Sequence, residues 1–115
     1  MGRFVISESG NLDWEWKFWF ARQCSNFGFI LQEVAANGEE IYVRRYTSED
    51  GEFVKLNADK QQLIKALSNT QLEACPVCRD KGCLEATLEM LKSFKEAVEK
   101  FEEPDIYATW FVEYY

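Results

Sequence analysis

Three of the four cysteines in the chain fall in one short segment, CPVCRDKGC, at positions 75–83. Thiolates are ligands that zinc prefers, and the two residues between Cys75 and Cys78 are the usual spacing in half of a structural zinc site. Cys83 offers a third thiol, and a closed tetrahedral site needs a fourth ligand. The sequence contains no histidine, so Cys24 is the best candidate. One structural zinc held by Cys24, Cys75, Cys78 and Cys83 is therefore one interpretation of this segment.

Other interpretations of the segment remain open. Its spacing resembles the first three ligands of a retroviral-type zinc knuckle, although Leu88 stands where that family has its fourth ligand. The Cys-Pro-x-Cys pair is similar to the redox pair of glutaredoxin-like proteins, and Arg79 and Lys81 favour thiolates there. In that family, however, the pair follows the first strand and leads directly into a helix. The cysteines can also be reduced structural thiols in a helix-entry turn, where Pro76 and Gly82 provide the turn geometry and Gly82 takes a positive φ.

Charge and composition exclude several classes of function. The net charge is −7 and the isoelectric point is about 4.6, which argues against binding to nucleic acid or to an anionic membrane. The absence of histidine removes the commonest general acid–base group. We find no nucleophile–base pair and no phosphate-binding glycine loop, so we do not expect an enzyme. The N-terminal residues do not resemble a signal peptide, and we expect a cytoplasmic protein with reduced thiols.

Hydrophobic periodicity predicts the elements that position these residues. The expected strands are RFVISE, LDWEWKFWFAR, EIYVRRYT, EFVKL and DIYATWFVEYY. The expected helices begin at a cap at Ser25 or Asn26, at a cap at Asn57, and near Cys83; they end near Ala36, Ser68 and Phe101. The order is ββαββααβ. We predict a single α+β domain over residues 1–115, with a mainly antiparallel sheet of about five strands and three helices packed on one face.

Aromatic residues are concentrated in the second and the last predicted strands. Trp14, Trp16, Phe18 and Phe20 share one face and are expected in the core, whereas Trp19 lies on the face with the charged residues. The last strand is apolar on both faces. It is therefore expected to be either a central strand covered twice, or an edge strand that docks another chain.

Acidic residues dominate the last helix and strand. These features predict a non-enzymatic acidic interaction protein, such as an adaptor, inhibitor or immunity-type protein, that docks a larger basic protein or self-associates. The candidate binding residues are aromatic anchors and steering charges: Trp19, Phe111 and Tyr115, with Glu96, Glu99, Glu102 and Glu103. The alternative is a small zinc- or thiol-dependent module with the structural four-cysteine site.

Overall fold

The structure is a computed structural model that describes residues 3–18 and 26–114. Its elements are β1 (Arg3–Gly10), β2 (Trp16–Phe18), α1 (Phe27–Ala36), β3 (Ile41–Ser48), β4 (Gly51–Asp59), α2 (Lys60–Asn69), α3 (Lys81–Lys100) and β5 (Asp105–Tyr114). The five strands form one antiparallel sheet in the order β2-β1-β5-β4-β3. This arrangement confirms the predicted α+β fold and its element order.

Strand β5 lies at the centre of the sheet and joins the two hairpins. It pairs with β1 through positions such as Val5 and Val112, and with β4 through positions such as Val54 and Trp110. Its inward side chains are buried, whereas Tyr107 on the other face is 55% exposed. The sequence suggested a central strand covered twice or a docking edge strand. Neither alternative is correct, because β5 is central and its outward face is not packed under a helix of the described chain.

The helices pack on the opposite face of the sheet around a cluster of aromatic rings. Trp14, Phe27, Phe94 and Trp110 meet with ring centroids between 5.0 and 6.3 Å apart, mostly edge to face. The indole nitrogen of Trp110 donates to the backbone carbonyl of Trp14 at 2.7 Å. Trp14 donates to the Ser93 hydroxyl at 3.1 Å. Both indole N–H groups therefore have partners, as buried tryptophans require.

The segment before β2 differs in part from its predicted conformation. Leu12 and Trp14 are buried while Asp13 and Glu15 are exposed, so the predicted alternation of faces is present. Among the described residues of this segment, the backbone nevertheless joins the sheet only over Trp16–Phe18, since the Asn11 amide donates to the Tyr107 carbonyl of β5 instead. Gly10 has a φ of +103° and lies against the Tyr107 carbonyl with no room for a side chain, which ends β1 there. Phe20, also expected in the core, lies outside the described residues.

Helices α2 and α3 begin at aspartates that cap their N-termini. The Asp59 carboxylate accepts from the Gln62 amide at 2.9 Å, two residues later than the expected cap at Asn57. In α3 the buried stripe is Cys83, Thr87, Met90, Phe94 and Val98. Hydrophobic periodicity in the sequence predicts a different buried stripe, Leu84, Leu88, Leu91, Phe94, Val98 and Phe101. Of these, Leu88 is 45% exposed. None of the helices in the described ranges is long and apolar enough to cross a membrane.

Candidate functional site

The sulfur atoms of Cys75, Cys78 and Cys83 form a cluster. All three lie within 4.8 Å of one another, and the Sγ atoms of Cys75 and Cys83 are 3.4 Å apart. A tetrahedral zinc with Zn–S bonds of about 2.3 Å holds its sulfurs about 3.8 Å apart. Cys75 and Cys83 are buried and Cys78 is exposed. The chain therefore places three thiols where one metal ion such as zinc could be held.

Backbone turns on both sides of Cys78 bring the three thiols together. The Arg79 amide donates to the Cys75 carbonyl at 3.1 Å, and the Val77 amide donates to the Cys75 sulfur at 3.5 Å. The left-handed residue of this turn is Arg79, with a φ of 59°. The sequence assigned that conformation to Gly82. Gly82 instead lies in the first turn of α3, because Asp80 is the N-cap and the helix begins at the next residue, Lys81.

The first turn of α3 determines the position of Cys83. The Asp80 carboxylate accepts from the Gly82 amide at 2.8 Å and from the Cys83 amide at 3.2 Å, which fixes the first turn of the helix. Cys83 therefore lies in the first turn at the positive end of the helix dipole, an environment that stabilises a thiolate.

Asn26 completes the cluster from the other side. It is the residue before α1 and is 1% exposed, yet its side chain makes no capping hydrogen bond to that helix. Its amide nitrogen lies 3.4 Å from the Cys75 sulfur and 3.8 Å from the Cys83 sulfur, and it donates to the hydroxyl of Thr87. The sequence indicated Asn26 only as a possible cap and did not indicate Thr87.

The predicted fourth ligand, Cys24, lies outside the described residues, and so do Trp19 and Tyr115. Sequence spacing identified Cys75, Cys78 and Cys83 correctly as neighbours. The contact between Asn26 and the cysteines joins positions about fifty residues apart, and its only signal in the sequence is that Asn26 follows Cys24 by two positions.

The remaining predicted partner residues lie on different sides of the sheet. Phe111 is half-buried on the uncovered face, where its ring centroid is 4.9 Å from that of Phe53. Glu96 and Glu99 are exposed on α3, which packs against the covered face. The sheet therefore separates Phe111 from these two charges. Glu102 and Glu103 are also exposed but lie in the connection to β5, at the end of the sheet.

The uncovered face is organised in rows across the strands. One row is apolar and aromatic, with Ile6, Phe111, Phe53 and Tyr46 directly opposite one another in register. The next row places Thr109, Lys55 and Arg44 side by side, and a third places Tyr107, Asn57 and Tyr42 together. Tyr42, Tyr46, Phe53 and Tyr107 are all at least 36% exposed.

An acidic depression lies at the end of this face. It has a volume of about 330 Å³, and its lining includes Tyr42, Tyr107, Glu40, Asp59 and Asp105.

Glu103 is linked through Asn11 to Tyr107, a residue of this depression. The Asn11 side chain donates to the Glu103 carboxylate at 2.9 Å and accepts from the Tyr107 amide at 2.9 Å. Carboxylates and two tyrosine rings together suit a lysine or arginine side chain.

Comparison with known proteins adds no relative: the chain matches no protein-family model, no curated protein and no solved structure.

Proposed function

We propose that this chain is a non-enzymatic interaction domain that binds a protein partner through the uncovered face of its sheet. The observation that carries the proposal is the row formed by the exposed Tyr46 and Phe53 and the half-buried Phe111 across three neighbouring strands. Aromatic side chains grouped on an open surface are typical of binding hot spots, because they bury much apolar area at small cost in side-chain entropy.

The acidic depression at one end of this face favours basic side chains of a partner, although Lys55 and Arg44 make the middle row of the face positive. Glu40, Asp59 and Asp105 line the depression, and Asn11 links Glu103 to Tyr107 in its lining. Lysine or arginine side chains of a partner bind there while its apolar residues cover the aromatic row. The net charge of −7, to which Glu96 and Glu99 contribute on the helix layer, speeds the approach of such a partner. An adaptor, an inhibitor and an immunity-type protein all bind partners in this way.

Substitution of Phe111 tests the binding face. We expect Phe111→Ala to weaken partner binding or self-association by more than about 1 kcal/mol and to leave the fold intact, because the side chain is only half-buried. The measurement combines co-purification from the source cells with sedimentation of the purified chain. Leu88→Ala is the matched control, since Leu88 is an exposed apolar residue on α3.

The glutamates have a separate kinetic signature. Reversing Glu96, Glu99, Glu102 and Glu103 to lysine should slow association with the partner, and the difference from the wild type should shrink as salt rises.

Two outcomes would contradict the binding face. If the Phe111→Ala and Leu88→Ala variants bind equally well, or if the Phe111→Ala chain is unfolded, the uncovered face is not the binding surface.

We also propose that the cysteine cluster is a structural zinc site. The positions of its sulfur atoms support this proposal. Two residues of chain span at most about 7 Å, and the Asn26 amide lies against the Cys75 and Cys83 sulfurs. We propose Cys24, two positions before Asn26 in the sequence, as the fourth ligand. A zinc ion with four thiolates has no open position for a substrate, so its role is to stabilise the fold.

The antiparallel fold favours zinc over redox chemistry at this cluster. Cys75 and Cys78 lie between two helices, α2 and α3, and do not follow the first strand as the redox pair of glutaredoxin-like proteins does. The buried environment of Cys75 and Cys83 also suits a closed metal site, because a structural site excludes water from the ion.

Metal analysis of the purified chain tests the zinc site. We expect about one zinc per chain in protein prepared under reducing conditions. Cys24→Ser and Cys78→Ser should lower the zinc content alike, because each removes one ligand of the same closed site. Full zinc content in Cys24→Ser would show that the fourth ligand is another residue, and metal-free wild-type protein with four reactive thiols would overturn the site.

A further inference from the structure

Asn26 is a buried polar side chain that its own helix does not use. Residues at the start of a helix commonly accept a hydrogen bond from a backbone amide of the first turn. The Asn26 side chain makes no such bond. Its amide nitrogen instead lies near two sulfurs and the Thr87 hydroxyl, and its Oδ1 atom is buried without a hydrogen-bond partner among the described residues. A buried acceptor without a partner is unfavourable.

The orientation of the Asn26 amide matches deprotonated sulfur. The amide NH₂ group only donates hydrogen bonds, and thiolates accept them; the amide oxygen only accepts, and it would repel thiolates in the same position. The structure turns the nitrogen toward Cys75 and Cys83 and the oxygen away from them. The arrangement therefore favours sulfurs that carry negative charge.

A zinc ion bound by four thiolates needs such donors. The ion carries two positive charges and the four sulfurs carry four negative ones, so the buried centre is a net dianion that the protein must stabilise. The Val77 amide donates to the Cys75 sulfur, and the first turn of α3 lies at Cys83. Among the residues that the structure describes, Asn26 is a side-chain donor whose amide nitrogen lies near the sulfurs of both buried cysteines.

We propose that Asn26 is a positioning residue of the metal centre, which donates from its amide nitrogen to the Cys75 and Cys83 thiolates. These bonds hold the two sulfurs close to the spacing a tetrahedral ion requires and withdraw electron density from them. This proposal rests on the zinc site proposed above. Residues that orient metal ligands through hydrogen bonds typically change metal affinity by about 10- to 100-fold when they are replaced.

Cobalt substitution of the full chain provides the test. Co²⁺ binds in place of zinc and shows a sulfur-to-cobalt charge-transfer band, whose energy falls when the thiolates lose hydrogen bonds and become richer in electrons. The variants are Asn26→Leu, Thr87→Val and the double variant with both changes. Asn26→Leu removes the donors at similar volume. Thr87→Val removes only the other acceptor of the Asn26 amide.

The double variant separates the two roles that Asn26 can have. If Asn26 acts on the sulfurs, both Asn26→Leu and the double variant bind zinc about 10- to 100-fold more weakly in competition with a chelator. Their charge-transfer band also moves to lower energy, while Thr87→Val keeps the wild-type band. If Asn26 serves only to satisfy Thr87, the double variant recovers the wild-type band and affinity, which would overturn the proposal.

The experiment also distinguishes a failure of the zinc site from a failure of the role proposed for Asn26. Asn26→Ala cannot clash with its neighbours, so it replaces Asn26→Leu if circular dichroism shows that the leucine variant does not fold. A wild-type chain that shows no thiolate band with Co²⁺ overturns the zinc site itself, and Asn26 with it. A normal wild-type band that Asn26→Leu and Asn26→Ala leave unmoved overturns only the role of Asn26.

Discussion

One ion pair on the covered face of the sheet shows how a single charged residue is stabilised in this fold. Glu52 is 2% exposed and forms a salt bridge with Arg45, which is 21% exposed. The Arg45 guanidinium also lies 3.6 Å from the centre of the Phe29 ring. A side chain at Gly28 would run into both Glu52 and Arg45, so the glycine makes room for the pair. The two charges differ in their access to water, and therefore in what each loses without the other.

We expect Arg45→Met to destabilise the chain more than Glu52→Gln does. The first substitution leaves a carboxylate buried without its counter-ion, at a cost of about 3–5 kcal/mol. The second leaves a guanidinium that reaches water and keeps its aromatic contact, so the cost is closer to that of one lost hydrogen bond to a charged group, about 1.5–3 kcal/mol. Urea unfolding monitored by tryptophan fluorescence measures both. Equal losses would show that the carboxylate is solvated once Arg45 is gone.

Helices α2 and α3 start in the same way but serve different parts of the molecule. Asp59 caps α2 with a bond to the Gln62 amide, and Asp80 caps α3 with bonds to the Gly82 and Cys83 amides. Only the Asp80 cap binds the backbone amide of a cysteine in the cluster. Asp59 and Asp80 therefore allow a comparison between a cap that stabilises a helix and a cap that also orients a ligand.

Asp80→Ala and Asp59→Ala should each lower the free energy of unfolding by about 1 kcal/mol, the usual cost of losing an N-cap. Only Asp80→Ala should also weaken metal binding, because Cys83 lies in the turn that Asp80 fixes. Thermal unfolding of the metal-free chains and zinc competition with a chelator measure the two effects separately. A parallel loss of zinc affinity in Asp59→Ala would mean that general destabilisation, and not the cap, controls the site.

Across the whole molecule, local patterns predicted the elements and long-range packing decided their arrangement. The turn residues SEDG between the predicted strands EIYVRRYT and EFVKL predict a hairpin, and these strands pair from Ser48 and Gly51 onward. Pro104 cannot continue a helix, and α3 ends before it at Lys100. The position of β5 between β1 and β4 could not be predicted, because its partners lie far away along the chain and period-2 patterns carry no information about neighbours.

In the candidate site, too, local sequence predicts one part and long-range packing determines the other. The spacing of Cys75, Cys78 and Cys83 was enough to predict a cluster, because a short loop brings these thiols together whatever the rest of the fold does. Asn26 precedes α1, and Thr87 lies one turn after Cys83 on α3. Only tertiary packing brings the start of α1 to the loop, so no local pattern marks Asn26, whereas Thr87 follows Cys83 at the i, i+4 spacing of one helix face.

The central position of β5 has a consequence for how the chain folds as it is made. In the described sheet, β1 and β4 are joined only through β5, the last of the five strands along the sequence. A nascent chain that has emerged as far as α3 therefore holds two unjoined hairpins, each marginally stable alone. The inner edges of β1 and β4 stay open until β5 arrives, and pairing Asn11 with Asp105 closes a loop of more than ninety residues. We expect slow folding, and an interval just before β5 is synthesised when the chain is most exposed to aggregation and to chaperones.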